Sequence, residues 1–554
     1  MQRQLNPSSQ EVRIPWFSTP GIILAALFFT LSLTPSLLPR DPVLQGVLGG
    51  TLAAIGHLLG MFFDWLWRVL EIPRFKPGSR RVFRILAIVL AVGLVALGLW
   101  RAPDWQNATR TVMDLAPVES SYGLTIAGVG LGVFVVLWAV LHVVAFLFRR
   151  LGRLLGRILP QPVAILLGGA IVGWLVWALL DGVLIRRAFE AADASFEAAD
   201  MLIEPNIAQP TDPVKTGSGE SLVEWEEMGR RGREFVATAP TLSEIREFWP
   251  DAEMEPVRVY VGRRSANTAE GRADLALQEL IRAGGFERGA LVVAVPVGTG
   301  WMDPGAHDTL DFMLKGDVAT VAAQYSYLTS VLSLLAHPEY GVQQARALFD
   351  TIYAYWLTLP EDSRPDLYVH GLSQGAFNSE MTLPLLDMLA DPINGAMWAG
   401  SPFISPLWQY VRDNRDPDST AWKPRFGNSS LARALNQEGG LGIDTPWGPI
   451  RLVFLNYGSD PIVGFSFPSA FRRPAWMQEP RAFDVAPEFR WYPIVTMFQL
   501  ALDMAISLEV EGFGHWYIAR DYIDAWAMLV EPPGWDAERE ATLKQIFVAR
   551  GPSF

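Results

Sequence analysis

No cysteine occurs anywhere in the 554 residues. Disulfides, thiolate metal sites and a cysteine nucleophile are thereby excluded, and any exported domain must hold its fold by its core alone. Histidine is nearly as scarce: His57, His142, His307, His337, His370 and His515 are all there are. Few side chains are therefore available as a base near neutral pH. Charge is thin and lopsided. Up to residue 187 the chain carries 17 Lys and Arg against 8 Asp and Glu, and beyond it 28 against 50. The acidic remainder argues against nucleic-acid binding. Internal repeats and long low-complexity tracts are also missing. What is present is an apolar, basic first third joined to a polar, acidic remainder, too long together for one ordinary core.

Five apolar stretches in that first third are long enough to cross a hydrocarbon core of about 30 Å. They are Phe17–Leu38, Pro42–Leu70, Val82–Trp100, Tyr122–Phe148 and Val163–Ile185. Trp16, Trp65, Trp67, Trp100 and Trp105 lie near their ends, as interfacial anchors do. The first stretch is long for a signal peptide, and Ser32-Leu-Thr-Pro-Ser-Leu-Leu-Pro-Arg40 offers no small-residue cleavage site. The second-to-third connection holds Arg68, Arg74, Lys76, Arg80, Arg81 and Arg84, and the fourth-to-fifth Arg149, Arg150, Arg153 and Arg157. Basic loops stay cytoplasmic. The expected topology thus has the N-terminus (Arg3, Arg13) inside and the acidic remainder outside, although Arg186 and Arg187 run against it. His57, His142 and Asp64 fall in or near the spans, where ionisable groups invite a functional reading. Asp64 and Arg68, spaced i, i+4, can simply pair.

The expected organisation is a transmembrane domain over 1–187, an amphipathic helix and linker over 188–250, and a globular domain over 251–554. The amphipathic piece is Arg186–Met201. A linker rich in Pro, Gly and Thr follows over Glu204–Ser221, then a helical pattern over Leu222–Val236. Beyond it, strand-like and helix-like segments alternate. Strands are expected at Val257–Val261, Ala290–Val295, Val318–Tyr325, Leu367–Val369, Gly395–Ala399, Ile450–Asn456 and Ser507–Val510. Helices are expected at Thr268–Arg282 and Gln343–Leu357. Such alternation implies a mostly parallel sheet covered on both faces, with ligands beyond the carboxyl ends of its strands.

The segment Asp366-Leu-Tyr-Val-His-Gly-Leu-Ser-Gln-Gly-Ala376 runs an apolar strand into Gly-x-Ser-x-Gly, and a helical pattern (Met381, Leu385, Leu386, Leu389) follows. Strand, sharp turn and helix are the context in which this motif presents a serine, here Ser373, between the elbow glycines Gly371 and Gly375. The motif alone is weak, so its partners decide. With the order serine, acid, histidine, His515 in Gly512-Phe-Gly-His-Trp-Tyr517 is the one histidine downstream. Asp460, just past the strand ending at Asn456, is the favoured acid. Asp484, Glu488, Asp503, Glu509 and Glu511 are the alternatives, and Asp444 precedes the strand. An oxyanion hole needs the backbone N–H of Gln374 and a second amide from the loop after Ala290–Val295, with Thr299 and Gly300 the candidates. His370, on the elbow strand itself, reads as core or pocket wall.

The chain resembles a family of bacterial membrane-anchored α/β-hydrolases with a multi-span N-terminal domain. The likeness is carried by Ser32–Arg40, Val257-Arg-Val-Tyr-Val-Gly262, Gly298-Thr-Gly-Trp-Met-Asp-Pro304, Gln324-Tyr-Ser-Tyr-Leu328, Gly371–Gly375, Ser405-Pro-Leu-Trp408, Ser459-Asp-Pro461 and Gly514-His515. In that family the elbow reads Gly-Glu-Ser-Leu-Gly, and Leu372 and Gln374 stand in place of its Glu and Leu. The resemblance implies an N-terminal all-α bundle, an α/β-hydrolase domain with a mostly parallel sheet, and an esterase-like activity without metal or cofactor. The resemblance makes a bacterial inner membrane the expected address, and the placement of the basic loops puts the catalytic domain on its extracytoplasmic side. The expected partners are the lipid bilayer and an acyl ester, with a lipid or envelope component the expected class. An acyltransferase using the same three residues, or a non-catalytic transport or scaffold protein, are the other readings.

Overall fold

The computed structural model describes residues 17–73, 76–118, 122–178, 195–329, 333, 338–383 and 387–551. Arg3, Arg13, Arg74, Arg186, Arg187, Leu385 and Leu386 lie outside these, as do 179–185 of the fifth apolar stretch and 186–194 of the amphipathic piece. The chain forms two compact units. One takes the residues up to Gly169 together with Ser469–Arg472 and Ala486–Leu502; the other takes Ala170–Pro468, Arg473–Val485 and the residues from Asp503 on.

Four helices of the first unit follow the first four apolar stretches, α1 (Thr19–Ser32), α2 (Pro42–Val69), α3 (Pro77–Val112) and α4 (Tyr122–Leu155); α5 (Gln161–Trp177) follows the fifth and begins in the first unit but ends in the second. Their lengths differ from expectation. α2, α3 and α4 are long and apolar enough to cross a membrane. α1 has 14 residues, about 21 Å, short of a hydrocarbon core of about 30 Å. It stops because Pro35 disfavours helix at Thr34 and has no N–H to give, and Pro39 follows. The chain restarts at α2, where Asp41 accepts the N–H groups of Val43 and Leu44 ahead of Pro42. Glycines let the helices touch backbone to backbone. A Cβ on Gly50 would overlap the carbonyl of Gly130, and one on Gly56 or Gly60 would overlap α1 at Leu24 or Gly21. Asp64 pairs with Arg68 at 3.0 Å, as the spacing suggested.

A further helix, Val495–Ala505, comes from far along the chain. Its residue Val495 is buried with Phe28, Leu48 and Leu52. Gln499 Nε2 donates to the carbonyls of Thr34 (3.0 Å) and Ser32 (3.4 Å).

The second unit is built on an eight-stranded sheet: β1 (Val257–Val261), β2 (Ala290–Val295), β3 (Val318–Ala323), β4 (Asp366–Leu372), β5 (Gly395–Ala399), β6 (Ala432–Asn436), β7 (Gly439–Gly440) and β8 (Arg451–Leu455). The spatial order is β1-β3-β2-β4-β5-β8-β6-β7, parallel throughout except for the β6–β7 hairpin. Apolar runs such as Ala290-Leu-Val-Val-Ala-Val295 are buried at every position because helices cover both faces. Each fully buried aliphatic side chain contributes about 1.5–3 kcal/mol relative to exposure. Strand order reverses between β2 and β4. That places a crevice beyond their carboxyl ends, where open sheets of this kind bind ligands.

Two expectations fail here. Ser507–Val510 is not a strand: it follows directly on the helix Val495–Ala505 and closes in turns, with Ile506 donating to Asp503 and Glu509 to Ile506. The edge is instead made by β6 and β7, which the sequence reading missed. The helical pattern at Leu222–Val236 is realised only over Gly229–Ala237.

Candidate active site

Ser373 follows β4 with φ 58° and ψ −124°, a backbone conformation that costs a side-chain-bearing residue about 1–3 kcal/mol. The surrounding structure imposes it. Its N–H donates to Ala399 O at 2.9 Å, and its carbonyl accepts from Phe377 at 3.2 Å as the helix Gln374–Glu380 begins. Both elbow glycines are sterically required. A Cβ on Gly371 would overlap the backbone of Gly375, and a Cβ on Gly375 would overlap the carbonyl of Val295 at the end of β2. The turn is therefore clamped between its own strand and the neighbouring one.

Asp460 follows β8 and is fully buried. It caps the short helix Pro461–Gly464, Oδ1 accepting from Ile462 N (2.8 Å) and Val463 N (3.4 Å). Its Oδ2 lies 2.6 Å from His515 Nδ1 and accepts the Tyr517 O–H at 2.7 Å. Asp484 lies elsewhere: it accepts from Ser459 N (2.8 Å) and Gln437 Nε2 (3.0 Å), a buried carboxyl raised above its ordinary range by burial. Asp444, Glu488, Glu509 and Glu511 are exposed, and Asp503 is buried.

The loop bearing His515 is tied at both sides, His515 N donating to Ser507 O at 2.7 Å and Gly514 N to Ser459 Oγ at 3.0 Å. With Nδ1 committed to a carboxylate, the proton sits there and Nε2 keeps its lone pair. That Nε2 is buried and makes no hydrogen bond among the described residues. The imidazole borders the elbow through β5. A Cβ on Gly400 (φ 57°) would stand 2.5 Å from His515 Cε1, and Gly400 is next in chain to Ala399, the acceptor of the Ser373 N–H.

The two oxyanion candidates differ from one another. Gln374 opens a helix, so its N–H has no acceptor one turn back. In the loop after β2, the Gly300 N–H is committed to Val297 O at 2.8 Å. The carbonyl of Gly300 accepts from Tyr260 Oη (2.7 Å) and that of Thr299 from Gln324 Nε2 (3.3 Å). Tyr260 and Gln324, from the ends of β1 and β3, thus hold this loop, a role the sequence reading did not assign. His370 is core, as expected. Its Nδ1 meets Met397 O at 2.9 Å, it packs on His307 and Trp526, and burial pushes it down to about 4. Glu380, which ends the elbow helix, is buried and pushed up to about 7; it accepts from Ser401 Oγ (3.0 Å) and the N–H of Leu407 (3.1 Å).

Residues 257–543 match the family model described as the alpha/beta-hydrolase family, and residues 33–240 match the one described as that family's N-terminus. No curated protein and no solved structure matches the chain.

Proposed function

Because this chain belongs to the alpha/beta-hydrolase family, we propose that it is a membrane-anchored serine hydrolase that cleaves an acyl ester. The observation carrying this reading is the pairing of a strained elbow serine at Ser373 with a buried His515–Asp460 contact of 2.6 Å at the same end of the sheet. In the proposed reaction Ser373 Oγ attacks the ester carbonyl while its proton passes to His515 Nε2. The Oγ–C bond forms, the alkoxy leaving group departs with that proton, and an acyl-enzyme remains. Water then attacks the acyl carbon, giving its proton to the same nitrogen, and the acid leaves as Ser373 is regenerated. Asp460 holds the imidazolium. The N–H groups of Gln374 and Thr299 receive the oxyanion; each such donor is worth about 3–4 kcal/mol in the barrier. With the Gly300 N–H already engaged, Thr299 is the better of the two original candidates.

Three helices long and apolar enough for a bilayer support the anchoring; with the basic α2–α3 and α4–α5 connections inside, the extracytoplasmic placement of the catalytic unit rests on the fifth apolar stretch also crossing. A site tethered to a membrane in this way favours an acyl lipid or lipid-linked envelope component as substrate. The direct test is a fluorophosphonate probe on the detergent-solubilised protein. Wild type and Ser379→Ala are labelled and Ser373→Ala is not; equal labelling of the two variants would sink the assignment. Release of free acid rather than transfer to an added alcohol then separates hydrolase from acyltransferase.

A further inference from the structure

We propose that Tyr517 is a positioning residue of this site, donating its phenolic O–H to Asp460 and so fixing the orientation and charge that the carboxylate presents to His515. The inference rests on the roles given above to Ser373, Asp460 and His515, and adds a fourth side chain to them. Tyr517 stands two residues past His515, on the same tightly turned loop. Its O–H meets Asp460 Oδ2 at 2.7 Å, the very oxygen that lies 2.6 Å from His515 Nδ1. The phenol oxygen also accepts the N–H of Tyr457 at 3.3 Å, which leaves its hydrogen directed at the carboxylate.

A fully buried carboxylate is costly unless donors surround it. Two backbone N–H groups serve Oδ1. Oδ2 has Tyr517 and His515 alone among the described residues. Tyr517 therefore draws charge from the oxygen that holds the imidazole, and it blocks rotation of the carboxylate away from it. Burial, with the Asp460 charge next in effect, holds the Tyr517 phenol well above its ordinary range, so it remains a donor. The other titratable groups packed around this ring are Tyr457, with rings 4.2 Å apart, and Tyr522 at 6.4 Å. Asp521 is taken by Tyr457 and Arg520, Asp303 borders Tyr522, and Asp484 holds Ser459.

The experiment is the pH dependence of fluorophosphonate labelling in the full-length protein. Without the phenolic donor, Asp460 holds the protonated imidazole more strongly, so labelling switches on at higher pH. For Tyr517→Phe the expected shift is about one unit upward, with about tenfold slower labelling below it. Site-specific 3-fluorotyrosine at 517, nearly isosteric and a stronger donor, moves the switch downward and serves if the Phe variant does not fold. Tyr457→Phe, which borders the ring but gives nothing to Asp460, leaves the profile in place. A lower melting temperature with an unmoved profile, or an unmoved profile with fluorotyrosine, overturns the proposal, as does an equal shift in Tyr457→Phe. Wild-type protein that takes no label at any pH refutes the hydrolase reading itself, and this proposal with it.

Discussion

Gln499 donates its side-chain amide to the carbonyl of Thr34 at 3.0 Å, across 465 residues of chain. The helix that carries it, Val495–Ala505, lies in sequence between Asp460 and His515, yet its apolar side is core of the helical unit beside Phe28, Leu48 and Leu52. The helical unit thus packs against a piece of chain that lies between two proposed site residues. A chain beginning near Glu204 contains every proposed site residue and lacks the packing partners of this helix. Its probe labelling is expected to fall about 100-fold, the scale of a small misplacement of catalytic groups. Labelling at the full-length rate would show that the helical unit only anchors.

Asp460→Asn keeps the size of the side chain and removes its charge. The amide also offers His515 Nδ1 a donor or a weaker acceptor, favouring the wrong tautomer. Hydrolysis of a soluble ester is expected to drop about ten-thousand-fold, with the melting temperature little changed. Asp484→Asn, by contrast, is expected to act mainly on stability through Ser459.

Gly400→Ala tests whether the imidazole is held against β5. The new Cβ meets His515 Cε1 in a left-handed backbone position, so the ring must shift. Activity is expected to fall about 100-fold. Gly375→Ala, which meets a strand carbonyl instead, is expected to destabilise the fold, by about 1–3 kcal/mol in thermal unfolding.

Glu380 gives a pH signature separate from catalysis. Its carboxyl is raised from 4.5 to about 7, chiefly by burial. Between those values the folded state binds the proton and the unfolded state does not, so its contribution to stability is present below about 4.5 and lost as pH rises through about 7. Melting temperatures measured across that window should decline less steeply in Glu380→Gln than in wild type. Parallel curves would show that Glu380 is not the group responsible.

Much of this was legible in the sequence because it is local. A buried parallel strand must be an apolar run, and an elbow must be a serine between glycines, so β1 to β5 and Ser373 could be read directly. His515 followed from scarcity. What escaped was set at long range. Ser507-Leu-Glu-Val510 alternates like a strand, but the helix ahead of it and the turn bonds at Asp503 and Ile506 leave it no strand neighbour. Ala432-Arg-Ala-Leu-Asn436 has weak strand propensity and is a strand because β8 offers it an edge. Tyr517 carries no motif signal: only the folded loop brings its oxygen to Asp460. The engagement of Gly300 by Val297, and of Val495 by Phe28, likewise have no periodicity to betray them.

The return of Val495–Ala505 to α1 and α2 also imposes an order on biosynthesis. Translation proceeds at about 5–20 residues per second, so roughly 20 to 90 s separate the appearance of Thr34 from that of Gln499. Throughout that interval the surface formed by Phe28, Leu48 and Leu52 is without the side chains that finally cover it. The earliest-made helices are completed almost last, and His515 is not synthesised until after their missing piece. A nascent chain stalled anywhere before residue 495 has an unfinished first unit and lacks the histidine that meets Asp460.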